Sequence, residues 1–142
     1  MQLVTLLTII TISSLILNVN IVFSEQTEVS KIRLHKMRTS LVDGGQPLVF
    51  VGKLTNDVGE PIANATVFIK NNQNCPADQI VGIGITDEIG SFHVYTISEI
   101  WNEKNNLVKF HAEFNGNERY LASVSNDLIY VIYPSHAQKC EI

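Results

Sequence analysis

Four histidines, two cysteines and one tryptophan are the side chains of this 142-residue chain best suited to metal binding, redox chemistry or aromatic recognition. His35, His93, His111 and His136 stand far apart. None forms the His-x-His or His-x-x-x-His spacing that sets two imidazoles on one metal. Cys75 and Cys140 each lack a neighbouring thiol, so neither belongs to a Cys-x-x-Cys redox or zinc element. Asp87-Glu88-Ile89-Gly90 has the outline of half a calcium loop, but an EF-type loop needs oxygen ligands at several alternating positions and a closing Glu. No nucleophile elbow, Ser/His/Asp arrangement or paired carboxylate stands out. The expectation is a protein with no catalytic residues, no cofactor and no metal. Trp101 is either a plug for one end of the fold or an exposed aromatic anchor for a sugar or a protein.

The elements that must carry these residues read as short alternating strands separated by turn signals. Strands are expected at 32–38, 48–54, 66–70, 80–86, 91–97, 107–114 and 127–133, seven in all, with no convincing helical period. Asp43-Gly44-Gly45-Gln46-Pro47 breaks the chain, and Asn56-Asp57-Val58-Gly59-Glu60-Pro61 is a turn in which Gly59 takes positive φ. Asp87 to Gly90 is expected to close a tight hairpin between its flanking strands. In the 107–114 segment Val108, Phe110, Ala112 and Phe114 share one face, while Lys109, His111 and Glu113 share the other. His93 and His111 have the parity of exposed faces, so both are expected in solvent.

Charge and hydropathy divide the chain. Met1 to Ser24 contains no Asp, Glu, Lys or Arg, and Leu, Ile and Val dominate it. Val22-Phe23-Ser24 offers a signal-peptidase site before Glu25. Residues 1–24 are therefore expected to be a signal peptide, with a membrane anchor through 3–23 as the alternative. The remainder is expected to hold one domain at 25–134 and a tail at 135–142. It carries the whole formal charge of −4 without a run of Lys or Arg, which argues against nucleic acid and anionic membranes as partners.

Three stretches carry a resemblance: Gly52-Lys53-Leu54-Thr55, Gly59-Glu60-Pro61-Ile62-Ala63-Asn64-Ala65-Thr66-Val67, and Thr86-Asp87-Glu88-Ile89-Gly90-Ser91-Phe92. Together they resemble the repeat pattern of bacterial and archaeal Ig-like domains, close to the carboxypeptidase regulatory-like, transthyretin-like domains. Ala112-Glu113-Phe114-Asn115-Gly116-Asn117-Glu118-Arg119-Tyr120 is similar to the strand-end motif of the Ig-like group. The resemblance implies an all-β, immunoglobulin-like Greek-key sandwich of about seven strands. It also implies a non-catalytic secreted or cell-surface module with a structural or adhesive role, its partner a surface protein or polysaccharide. A carbohydrate-binding module using exposed aromatics is the alternative. A transthyretin-like small-molecule hydrolase is a third reading, but that family ends in Tyr-Arg-Gly-Ser, whereas this chain ends Lys139-Cys140-Glu141-Ile142.

In such a sandwich the strands ending at Lys70 and Tyr133 run the same way on either side of the 107–114 strand, so their ends share a pole about 10 Å apart. Cys75 follows one end and Cys140 the other, and a Cys75–Cys140 disulfide is expected in an exported protein. Asn64-Ala65-Thr66 is a glycosylation sequon, with Asn64 alternatively a turn residue.

Overall fold

The computed structural model describes residues 27–36, 41–71, 79–97 and 107–133. Nine strands fill them: β1 (Ser30–Leu34), β2 (Leu41–Asp43), β3 (Pro47–Asn56), β4 (Thr66–Asn71), β5 (Ile80–Ile85), β6 (Ser91–Ile97), β7 (Leu107–Phe114), β8 (Ser123–Val124) and β9 (Leu128–Tyr133). The two-residue alternation explains most of them. Along β3, Leu48, Phe50, Gly52, Leu54 and Asn56 turn inward while Val49, Val51, Lys53 and Thr55 turn outward.

Two sheets face each other. One has the order β1-β3-β6, all antiparallel. The other runs β2-β9-β7-β4-β5, with β8 pairing β7 beyond the end of β9. β3 beside β6 in one sheet, and β9-β7-β4 in the other, is the arrangement of an immunoglobulin-like sandwich. β2 adds to the outside of β9 in parallel. β4 and β9 both run antiparallel to β7 on its two sides, so their C-terminal ends share one pole, as the sequence led us to expect.

The core joins the sheets through aromatic rings. Phe50 on β3 meets Phe110 on β7 with ring centroids 5.0 Å apart, and Tyr130 on β9 closes the trio edge-on at 6.0 and 5.8 Å. Phe50 and Phe110 are fully buried, each contributing about 1.5–3 kcal/mol of transfer free energy. Ile69, Val67, Val94 and Leu54 pack around them.

The hairpin expected between β5 and β6 does not form. The turn at 86–90 instead carries the chain from one sheet to the other, and β5 and β6 pack across the core. Gly82 and Gly84 provide the reason: they face inward over Val94, and a Cβ on either would lie 2.4 or 2.6 Å from a Val94 methyl. Gly90 takes φ +75° with its Cα against the Leu54 carbonyl, a position closed to any Cβ. Thr86, also buried, staples the turn: its hydroxyl donates to the Ile62 carbonyl at 2.7 Å and accepts from the Ala65 N–H at 2.9 Å.

Other boundaries shift as well. The first strand begins at Ser30 and ends at Leu34, earlier than the 32–38 expected, because its partner is the end of β3, with Ser30 opposite Asn56. β2 and β8 were not expected at all. They are too short to show a period and exist only through their pairing with β9 and β7. Between β8 and β9 the Ser125 side chain takes over part of the ladder, its hydroxyl accepting the Ala112 N–H at 2.8 Å.

Candidate functional site

The outer face of the three-stranded sheet gathers cations that the sequence keeps apart. Register places Arg33 directly opposite Lys53, with Lys31 opposite Thr55 and Val51 opposite His93. His35 continues the first row, donating its backbone N–H to the Val51 carbonyl at 2.9 Å. Tyr95, 73% exposed, stands on the same face opposite Val49. No Asp or Glu lies on the three strands of this sheet.

A groove of about 650 Å³ opens along β1, lined by Ser30, Lys31, Arg33, His35, Lys53, Thr55, Ser123 and Asn126, with Ile32 and Val124 in its floor and wall. Both ends of the β1 edge are tied to the neighbouring chain. At one end the Ser30 hydroxyl bonds the Leu121 carbonyl and the Ser123 hydroxyl, each at 2.6 Å. At the other the Asn126 side-chain oxygen accepts the Leu34 N–H at 3.2 Å. The Lys31 ammonium donates to the Asp57 carbonyl at 2.9 Å. Arg33 and Lys53 make no ion pair or side-chain hydrogen bond among the described residues.

The outer face of the six-stranded sheet has the opposite character. Leu41 on β2, Ile129 and Tyr133 on β9, Leu107 on β7, and Ile80, Ile83 and Ile85 on β5 are all exposed large apolar side chains on this face. Charge there is largely self-neutralised. The Lys70 ammonium on β4 lies 2.5 Å from one Glu113 carboxylate oxygen on β7, and the His111 Nε2 lies 3.0 Å from the other. The hydrogen bond from Lys70 holds the Glu113 carboxyl below its usual range, with His111 adding to it against a smaller cost of burial. Beside this face runs β5, the edge of the sheet, whose Ile80-Val81-Gly82-Ile83-Gly84-Ile85 contains neither charge nor proline.

A third cluster caps one pole. Asn56 accepts the Glu60 N–H at 2.8 Å and donates its side-chain amide to Glu60 and Glu28, at 3.0 and 3.3 Å. Arg119 grips the other Glu28 oxygen at 2.9 Å. Hydrogen bonds from Arg119 first and Asn56 second pull the Glu28 carboxyl down from its ordinary value. The cluster is satisfied by its own members, which makes it a brace between the chain before β1, the end of β3, the loop that follows it and the 115–122 loop. Among the described residues no three His, Cys, Asp or Glu side chains come together as a metal site.

His93 is exposed as expected, but His111 is not: it is buried, 4% exposed, on the outward face that its parity indicates. Lys70 stands directly opposite it across β4–β7, and Glu113 holds its ring, so the neighbouring ion pair closes over the imidazole. With Nε2 donating to Glu113, its Nδ1 is left buried without a partner among the described residues. His93 and His111 lie on opposite outer faces of the sandwich and so do not converge on one site. Asn64 is exposed with φ +55°, a left-handed turn residue whose sequon is accessible. Cys75, Cys140, Trp101 and His136 lie outside the described residues. Reading the chain in order missed the Arg33–Lys53 pair, because only the β1–β3 register joins residues twenty positions apart. The alternation Lys31, Arg33, His35 was the one local signal. In comparisons with known proteins, no family model and no curated protein matches the chain.

Proposed function

We propose that this protein is a non-catalytic, exported interaction module with a structural or adhesive role, secreted or held at the cell surface, of the bacterial and archaeal Ig-like kind. The carrying observation is the exposed apolar face of the six-stranded sheet together with its uncharged edge strand. Exposed apolar side chains gathered on one face of a domain mark interaction sites. Sheet edges normally carry Lys, Pro or a covering element to prevent pairing, and β5 carries none of these side chains. The charge-free amino-terminal run supports export, and an accessible Asn64 sequon suits an outward-facing protein.

The occupant that fits this face is a second copy. The face is nearly neutral, so it does not repel itself, and β5 is close to self-complementary. Paired antiparallel about Ile83, it sets Gly82 against Gly84 and Ile83 against Ile83. Sedimentation velocity of the purified protein tests this. Wild type is expected at twice the monomer mass, and Ile83→Lys with Ile129→Lys at the monomer mass. Both sites are exposed, so stability should change by no more than about 0.5 kcal/mol for each substitution. A wild type that stays monomeric at every concentration would remove the second copy as occupant.

A further inference from the structure

We propose that the outer face of the three-stranded sheet binds an acidic polysaccharide, laid along the β1 groove from Lys31 and Arg33–Lys53 toward Tyr95. This face lies on the other side of the sandwich from the proposed self-association surface, so either reading can fail alone.

The first argument is an unneutralised charge pair. Arg33 and Lys53 face each other directly across two strands, both exposed and without a counter-ion among the described residues. Like charges in directly opposed sheet positions are destabilising, and a fold keeps such an arrangement where something else uses it. The chain has fourteen acidic residues against ten basic ones, yet none of the acidic ones stands on this sheet. An anionic ligand supplies the missing counter-charge.

The choice among anions follows from the walls. Along β1 the cations recur every second residue, about 6.6 Å apart, a spacing that meets separate anionic groups on an extended polymer. Between them the groove offers hydroxyls and an amide from Ser30, Thr55, Ser123 and Asn126, which match sugar hydroxyls in donating and accepting. Tyr95 stands four residues along from the Lys53 row, about 13 Å, and presents its ring to solvent where a pyranose face can stack. An acidic peptide would recognise the same cations best by adding a strand to β1. The 121–126 segment already lies along that edge, held by the Ser30 hydroxyl on Leu121 and Ser123 and by the Leu34 N–H on Asn126, and occupies the place an added strand would need.

Titration of the purified protein, by calorimetry or fluorescence anisotropy, uses four probes: a sulfated heparin oligosaccharide, a carboxylated alginate oligosaccharide, neutral dextran and poly-L-glutamate. At least one acidic oligosaccharide is expected to bind, dextran not at all, and polyglutamate more weakly. Arg33→Glu and Lys53→Glu should each weaken the oligosaccharide by about tenfold or more, the scale of losing one charge-assisted contact. Tyr95→Ala should weaken it several-fold while leaving polyglutamate unchanged. Lys109→Glu, the same charge change on the opposite sheet, should leave affinity within about twofold, since it removes no contact. Melting temperatures of the Arg33 and Lys53 variants should not fall, which separates lost binding from lost folding. Failure of both acidic oligosaccharides to bind would overturn the proposal. So would equal binding of polyglutamate, which would assign the face to acidic peptide. So would a Lys109→Glu loss as large as that of Arg33→Glu, which would make the effect one of net charge.

Discussion

Arg33 and Lys53 illustrate how much a single register decides. Each is an ordinary exposed strand cation until β1 aligns with β3 and sets the two face to face. Relieving that repulsion should stabilise the protein: Arg33→Glu is expected to raise the unfolding free energy by about 0.2–1 kcal/mol, read as a higher urea midpoint at unchanged slope. A lower midpoint would mean that Arg33 has a stabilising partner. His111 makes the same point for burial. Its parity along β7 was legible, because Phe110 and Ala112 had to face inward. Its enclosure was not, because that depends on Lys70, forty-one positions earlier on β4, and on the ion pair beside it. Gly82 and Gly84 were legible as strand residues, yet the close approach of Val94 that they permit appears only when β6 is placed in the facing sheet.

At the scale of elements, alternation revealed the long strands and turn chemistry revealed their breaks. The 91–97 and 107–114 strands stand as the pattern predicts, and Gly59 takes the positive φ that its turn demands. The pattern could not tell a hairpin from a crossing between sheets, since both need the same Asp-to-Gly turn; the inward glycines of β5 decide it. Pairs between elements also set the response to acid. Lys70 on β4 depresses the Glu113 carboxyl on β7, and a carboxyl held down in the folded state adds stability that is present above its unfolded value. That contribution is lost as pH falls through the folded value. The urea midpoint should therefore change little on this account down to about pH 5, then decline below about 4.3, the ordinary carboxylate value. Glu113→Gln should lower the midpoint at neutral pH and flatten the acid decline. Part of the decline should persist through Glu28, which Arg119 and Asn56 hold down in the same way. An identical decline in the variant would show that the β4–β7 pair adds nothing.

The whole molecule presents two outer faces of opposite character. One is cationic and hydroxyl-rich around a groove; the other is rich in exposed apolar side chains and ends in a strand without charge or proline. Composition alone hides this division, because a net charge of −4 averages over both faces and over the braced carboxylates at the pole. The all-β class was legible from period and turns and the sandwich from the resemblance, and the export segment is expected from its lack of charge. The faces required the register. Shared direction of β4 and β9 also sets the C-terminal ends of the two strands at one pole, the arrangement on which the expected Cys75–Cys140 disulfide rests. Self-association through β5, at the edge of the apolar face, is the central claim, and amide hydrogen exchange of residues 80–85 reads it most directly. Exchange in β5 should slow when the protein is concentrated, recover on dilution, and lose that dependence in the Ile83→Lys, Ile129→Lys variant. Exchange in β5 that is equally fast at both concentrations, or protection that falls on β1 and β6 instead, would contradict it.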